Sequence, residues 1–344
     1  MTFRQLFGID VPLIQAPMAG VQAGALAVAA SNAGALGSLP CALLSTEGIE
    51  REIAAIKGQT SRPFNVNFFC HVPPPVDADR EAAWRAALAP YYREFSIDAA
   101  SIKPGPGRAP FDAAAADVLE RMRPAVVSFH FGLPSDDLLA RVRALGARIV
   151  GCATTLAEAR WLDARGVDAI VAQGLEAGGH RGNFLTDDLT TQVTTLALVP
   201  QIVRAVRVPV IAAGGVADAS GVKAMLALGA TAVQIGTAFL LCAEATTSRV
   251  HRDALASDAV LHTALTNVFT GRPARGIVNR IMREVGPISA KAPLFPLATA
   301  ALAPLRAEAE RRGSGDFSPL WSGQNASGCR AAPAADVTRA LTGT

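Results

Sequence analysis

Asp168-Ala169-Ile170-Val171-Ala172-Gln173-Gly174-Leu175-Glu176-Ala177-Gly178-Gly179-His180-Arg181-Gly182 starts as a short apolar run and ends as a polar loop containing four glycines. Its first five residues read as a buried strand, with glycines bounding the far side. An amide, a carboxylate and a histidine therefore follow the strand's carboxyl end. Where strands and helices alternate, that end carries the chemistry.

Similar runs lie on both sides of this stretch. Towards the N-terminus they are Val11–Ala16, Ala35–Leu39, Phe64–Phe68, Ala125–Phe129 and Arg148–Cys152; towards the C-terminus they are Pro209–Ala213 and Ala232–Ile235. Most are followed by a helical pattern, as at Gly24–Ala33, Thr46–Lys57 with Ser45-Thr46-Glu47 as its capping region, Thr155–Arg165 and Ser220–Leu228. Eight parallel strands with helical crossovers close into a (β/α)8 TIM barrel. An open doubly wound sheet is the rival, but its phosphate loop commonly follows the first strand, and Gln15–Gly20 has no GxGxxG.

Two segments break the alternation. About 70–123 carries Pro73-Pro74-Pro75, Trp84, Tyr91-Tyr92 and Lys103-Pro104-Gly105-Pro106-Gly107, and so long a connection carries function, oligomer contacts or a lid. Residues 249–312 combine polar helical stretches with Thr270–Gly276 and a proline-spaced run from Ala292 to Leu305. The expected organisation is a barrel of 1–248 and 313–344 with the 70–123 insertion, and a mostly helical cap of 249–312 near the barrel mouth. Leu320-Trp321-Ser322-Gly323-Gln324-Asn325 is expected to pack back on the barrel.

Half of the 344 residues are hydrophobic, enough for a large core, and 18% are charged with a net charge of +3 spread along the chain. Without a basic run, nucleic acid is not an expected partner. Cys41, Cys70, Cys152, Cys242 and Cys329 are odd in number, far apart and without a CxxC pair, which argues against a disulfide framework or zinc site and for a reducing cytoplasm. No basic leader precedes an apolar run, and Ser31-Asn32 interrupts the alanine-rich segment, so neither signal peptide nor membrane span is expected.

The unusual residue choices gather at strand ends: Met18 after the first, Asn67 and Cys70-His71 after the third, His130 after the fourth, Gln173 to His180 after the sixth. The seventh ends in Gly214-Gly215; the eighth contains Gln234-Ile235 and ends in Gly236-Thr237. In barrels the last two loops often hold a phosphate, because glycine lets an anion approach backbone N–H groups at a helix start. Either turn alone is equally a tight left-handed turn; both at these positions point to a phosphate-bearing ligand. Asn67 and Gln173 read as core amides or as donors and acceptors suited to the edge of a flavin's pyrimidine. Met18 is core packing or an apolar surface against the flavin ring.

The chain has five histidines, and His180 and His130 fall at the active end of the same barrel. His180 follows two glycines, so its loop can approach a ligand, and Glu176 would orient it or balance its charge, or is equally a surface carboxylate. A cysteine nucleophile has no partner in sequence, and no HxH or HExxH spacing suggests a metal.

Taken together these residues resemble the nitronate monooxygenase family, formerly called 2-nitropropane dioxygenases, whose members are FMN-dependent TIM barrels. The resemblance is carried by Gln15–Gly20, Val66–Phe69, Ser128–Gly132, Gln173–Gly182, Ala212–Val216, Gln234–Thr237, Phe269–Gly276 and Phe295–Leu297, from residue 12 to about 325. It implies that Met18, Asn67, Gln173, Gly178, Gly215, Gln234, Gly236 and Thr237 contact FMN, the last three at its phosphate; Gly214 and Ile235 belong to the same turns. It implies that His180 is the active-site base or substrate-polarising residue and that His130 lines its pocket. Residues 73–75 and 103–107 match nothing in the family.

The implied reaction is FMN-dependent oxidation of alkyl nitronates, and of nitroalkanes if their proton is removed, with O2 to carbonyl compounds and nitrite. His180 would take the α-proton or, protonated, hold the nitronate oxygens, with Arg181 or Lys291 as helpers or as surface charges. The expected partners are a small-molecule substrate and O2, with no nucleic acid or membrane, and a homodimer is left open. The alternatives are an NAD(P)H-dependent flavin reductase of enoyl-thioester or quinone type on the same barrel, and a flavin-binding module without turnover.

Overall fold

A computed structural model of the chain describes residues 2–102 and 107–343, so 103–106 of the proline–glycine run lie outside the described residues. The strands up to residue 235 are β1 Leu13–Gln15, β2 Gly37–Pro40, β3 Phe64–Phe69, β4 Val126–His130, β5 Arg148–Ala153, β6 Ala169–Gln173, β7 Gly179–His180, β8 Val210–Ala213 and β9 Ala232–Ile235. All but β7 form one sheet in the order β1-β9-β8-β6-β5-β4-β3-β2, every neighbour parallel. A parallel bridge between Ile14 and Leu36 brings β1 to β2 and closes the ring. Gln15 N donates to Leu36 O at 3.0 Å, and Leu36 N donates to Leu13 O at 2.9 Å. The fold is the (β/α)8 barrel.

Strand residues are buried on both faces, which explains the near-continuous apolar runs. One face packs against surrounding helices. The other fills the barrel with Ile14, Leu36, Val126, Val150, Val171 and Ile211, and Phe3, Leu6 and Phe7 of the leading helix join that cluster. This short helix is set by a reciprocal cap, Gln5 N to Thr2 Oγ1 at 3.2 Å and Thr2 N to Gln5 Oε1 at 2.8 Å, and stops at Gly8 with φ 72°. Each large apolar side chain removed from water contributes about 1.5–3 kcal/mol. The interior is thereby a packed core, and the polar work is left to the open end.

The segment 249–312 holds a small hairpin besides its helices. Between its helices it forms β10 Thr263–Thr266 and β11 Ala274–Ile277, an antiparallel hairpin whose second strand pairs with β7, His180 opposite Ala274 and Gly179 opposite Arg275. The 70–123 insertion is also divided. Helix Ala113–Met122 packs among the barrel helices, whereas helix Ala78–Glu94 lies on helix Thr299–Arg311. Trp84, Leu88, Tyr91 and Tyr92 share a second core with Ile281, Met282, Leu305 and Phe317, so this insertion and the tail both contribute to the cap. The last helix, Ala334–Thr342, returns to pack on helices Gly24–Asn32 and Ala219–Ala227. The cap is therefore an excursion between the last barrel strand and the helix that completes the ring.

Among the described residues no helix is long and apolar enough to cross a membrane, and no group of three or more metal-ligating side chains is assembled.

Candidate active site

The carboxyl ends of the barrel strands open into a cleft of about 1390 Å³, counting the part exposed to solvent. Met18, Asn67, His130, Gln173, Gly178, His180, Gly214, Gly215, Gln234, Ile235, Gly236 and Thr237 all line it. Register explains much of this: Asn67 lies beside Ser128, and Gln173, Ala213 and Gln234 follow one another across three adjacent strands.

Three groups hold the main chain at His180. Gln173 Nε2 donates to His180 O at 3.0 Å, while Gln173 Oε1 accepts from Gly182 N at 2.8 Å. His130 Nε2 also meets His180 O, at 3.3 Å. A carbonyl oxygen only accepts, so that nitrogen of His130 carries the proton. Burial, then the Arg272 charge, pushes His130 down to about 3, so its ring is neutral at pH 7. Both ends of the Gln173 amide are thus engaged in clamping the loop, leaving one N–H group and one Oε1 lone pair for a ligand.

The His180 ring is placed from the cap side. Nε2 lies 2.9 Å from Thr270 Oγ1, and that hydroxyl reaches Arg272 O at 3.4 Å. If the hydroxyl gives its proton to the carbonyl, Nε2–H is the donor and Nδ1 is a free base; among the described residues Nδ1 has no hydrogen-bond partner. Phe295 and Trp321 flank the ring at centroid distances of 5.3 and 5.5 Å. Burial first, and then Arg108, His130 and Arg272, holds its pKa well below the usual histidine value. Phe131 completes the aromatic wall at 6.1 Å, its backbone held at φ 70° and its face covered by the Arg272 guanidinium at 4.2 Å. A bulky residue in that backbone region stores strain, which collects at functional sites.

Two roles suggested by the sequence are corrected. Glu176 does not touch His180: its carboxylate accepts from Thr195 N at 2.8 Å and Thr195 Oγ1 at 2.9 Å, supplying the cap that Thr194 does not give to helix Thr195–Ala205. Arg181 is no surface charge. It is fully buried, donating to Gln192 Oε1 at 2.7 Å, Gly174 O at 2.7 Å and Gln173 O at 2.8 Å, and burial lowers it to about 10. Lys291 is exposed and does not line the cleft.

The polar groups left over face the cleft. Asn67 Nδ2 donates to Ser128 Oγ at 2.8 Å, but Asn67 Oδ1 and the whole Gln234 amide have no partner among the described residues. Gly214 and Gly215 adopt φ 118° and 74°, which only glycine takes readily, so the β8 end turns as the sequence suggests. Met18 packs on Gly236, where a Cβ would lie 3.3 Å from its sulfur.

The tail was expected to pack on the barrel; it crosses the mouth itself. Gly323 N donates to Thr237 Oγ1 at 2.9 Å, Gln324 N to Glu176 O at 2.9 Å and Asn325 Nδ2 to Gly215 O at 2.9 Å. A Cβ on Gly178 would lie 2.6 Å from Ser322 C and Gly323 N, which explains the glycine. Trp321, Ser322 and Gly323 join the lining, together with Phe69, Arg108 and Ser128, which sequence reasoning did not single out as site residues. The tryptophan among small polar residues was the visible signal for the tail; Arg108 had none. Burial raises the Cys41 and Cys70 thiols far above their usual value and Cys152 to about 12, so none supplies a thiolate.

The family described as nitronate monooxygenase matches residues 2–343. The chain is similar to a nitronate monooxygenase of Pseudomonas aeruginosa, 43% identical over 341 residues, covering 98% of this chain and 97% of that protein. It is also similar to a nitronate monooxygenase of Paraburkholderia phytofirmans, 42% identical, covering 98% and 92%. Among solved structures it resembles a nitroalkane oxidase of Streptomyces ansochromogenes, with TM-score 0.89 and 38% identity, covering 99% of this chain and 96% of that one.

Proposed function

The chain belongs to the nitronate monooxygenase family and is an oxidoreductase, and from that premise we propose that it oxidises alkyl nitronates with O2 to carbonyl compounds and nitrite, using a flavin, FMN, in the cleft at the barrel mouth. The observation that carries the reading is His180: a neutral ring with an unpartnered Nδ1, fixed by Thr270 and flanked by Phe295 and Trp321, in a cleft that Asn67 Oδ1 and the Gln234 amide also line without protein partners.

The residues present fit a flavin. Asn67 Oδ1 and the Gln234 amide are polar atoms without protein partners, suited to an edge that both donates and accepts. Met18 offers an apolar surface. In this reading Met18, Asn67 and Gln173 hold the ring system, joined by Gln234, which the resemblance placed at the phosphate and whose free amide suits the ring edge instead; Gly178 lets the backbone run close, and the turns Gly214-Gly215 and Ile235-Gly236-Thr237 hold the phosphate. The bound flavin supplies electron acceptance and oxygen chemistry.

The chain's own residues do the rest. His180 Nδ1 takes the α-proton of a neutral nitroalkane, and Thr270 at Nε2 keeps the ring oriented while it does so. A nitronate arrives already deprotonated and needs no base. Phe69, Phe131, Phe295 and Trp321 exclude water, and Gln173 and His130 keep the loop in place. Five free thiols suit a reducing cytoplasm.

One experiment tests both reaction and base. The purified yellow protein is mixed without oxygen with propyl nitronate, with nitropropane and with NADH, for wild type and His180→Asn. The expected result is bleaching of the wild type by nitronate and nitropropane but not by NADH, and a loss of roughly 10²–10⁴-fold in the variant for nitropropane only. Bleaching by NADH alone would identify a reductase, and a variant that handles both nitro compounds like wild type would remove His180 as the base.

A further inference from the structure

We propose that Arg108 is the anion-recognition residue of the cleft, its guanidinium holding the charged oxygens of the nitronate. The proposal rests on the nitronate reading above and divides between two residues the proton and anion tasks that the sequence assigned to His180, with Arg181 or Lys291 as helpers.

Arg108 and Glu176 are the residues with permanently charged side chains in the cleft lining. Glu176 is committed to Thr195. Arg108 carries five N–H donors, of which one, at Nη1, reaches a protein acceptor, Thr299 Oγ1 at 3.2 Å. No carboxylate forms a salt bridge with it among the described residues. Its guanidinium carbon lies 5.7 Å from the Phe295 ring centroid, and His180 lies 5.3 Å from the same ring on centroids. The free base and the free cation therefore border one aromatic side chain.

The neighbouring arginines are engaged elsewhere. Arg181 donates to two carbonyls and the Gln192 amide, and Arg272 donates to the carbonyls of Asn183 and Arg181 while covering Phe131. A cation partly withdrawn from water without a counter-ion is unfavourable until an anion arrives, and a planar guanidinium matches two oxygens on one atom. Burial lowers the Arg108 pKa, yet an arginine stays charged in proteins, whereas its field helps to keep His180 neutral. A neutral imidazole is a base but a poor anion holder. Arg108 supplies the charge that His180 lacks.

The test measures anion binding apart from turnover. Nitrate, a planar anion with oxygens on nitrogen, is titrated calorimetrically into flavin-loaded wild type, Arg108→Met and Arg108→Lys, with melting temperature and flavin content measured alongside. The Met variant is expected to bind nitrate at least about tenfold more weakly, as for a lost charge-assisted hydrogen bond, and the Lys variant, which keeps the charge but not the planar fork, to fall between Met and wild type. In turnover, the Met variant is expected to raise KM for propyl nitronate by a similar factor with kcat little altered, and to leave KM for neutral nitropropane unchanged. Nitrate that binds all three proteins alike, or does not bind the wild type, overturns the assignment. So does an equal rise in KM for both substrate forms. If Met prevents folding, Arg108→Gln, which keeps N–H donors without the charge, takes its place: nitrate binding equal to wild type in that folded, flavin-loaded protein overturns the assignment. Wild type that turns over no nitronate would refute the functional reading, and the nitrate titration would still decide on Arg108.

Discussion

Gly182→Ala isolates the packing that holds the histidine loop. Gly182 does not adopt the left-handed conformation, so an alanine meets no backbone penalty there and its whole effect is the added methyl group. That Cβ would lie 2.8 Å from Cys152 Sγ and 2.8 Å from His130 Cε1, so each neighbour must retreat by roughly 0.6 Å to reach an ordinary 3.4 Å contact. The His130 bond to His180 O is already 3.3 Å, and such a movement breaks it. Overpacking costs about 1–3 kcal/mol and the broken bond about 0.5–1.5 kcal/mol, together roughly 2–4 kcal/mol. Thermal unfolding of the flavin-loaded protein should show a Tm lower by roughly 3–6 °C. Turnover of a neutral nitroalkane, for which the proposed function needs His180 in place, should fall by about 10²-fold. Adding Cys152→Ala removes one of the two obstacles, so the double variant should recover at least about 1 kcal/mol relative to the sum of the single changes. A Gly182→Ala protein with wild-type Tm and kcat, or strictly additive single effects, would refute the steric reasoning.

Two further outcomes follow from buried polar groups. His71, His130 and His251 are held down to about 4, 3 and 4, mainly by burial. As pH falls through about 6.5 the unfolded chain takes up protons that the folded chain refuses, so stability is unaffected above that pH, declines down to about pH 4 and levels out below the folded values. Each histidine contributes a slope of about 1.4 kcal/mol per pH unit; urea unfolding at pH 7 and pH 5 that gives equal stabilities would contradict it. Arg181→Met leaves the carbonyls of Gln173 and Gly174 and the Gln192 amide oxygen without their donor. A loss of roughly 3–5 kcal/mol is expected from urea midpoints, with Arg181→Lys retaining part of it; a loss below about 1 kcal/mol would show that the loop does not depend on this clamp.

The barrel was legible because each strand is a short apolar run closed by turn residues, a local signal. The run read as 168–172 is β6 at Ala169–Gln173, and the other seven shift by similarly small amounts. The mouth residues were legible for a related reason: in a parallel barrel, residues just past strand ends converge wherever the strands lie in sequence. What was not legible depends on partners far along the chain. Arginine 181 looks like surface charge until the fold surrounds it with the carbonyls of the preceding loop, and Glu176 looks like a partner for His180 until helix Thr195–Ala205 presents unpaired N–H groups to it. Trp84, Tyr91 and Tyr92 belong to the cap because their helix meets Thr299–Arg311, more than two hundred residues away. No local pattern carries that distance.

The strap at Ser322–Asn325 bears on how the enzyme is made. A ribosome that has released residues 1–300 has already supplied every barrel strand, both histidines and the glycine turns. The groups that cover Thr237, Gly215 and Gly178 are still to emerge, as is the helix that closes the ring. Joining ends this far apart is slow as well as late. The cover over Thr237, Gly215 and Gly178 is thus synthesised after the rest of the mouth, and until it emerges the turns beneath it are open.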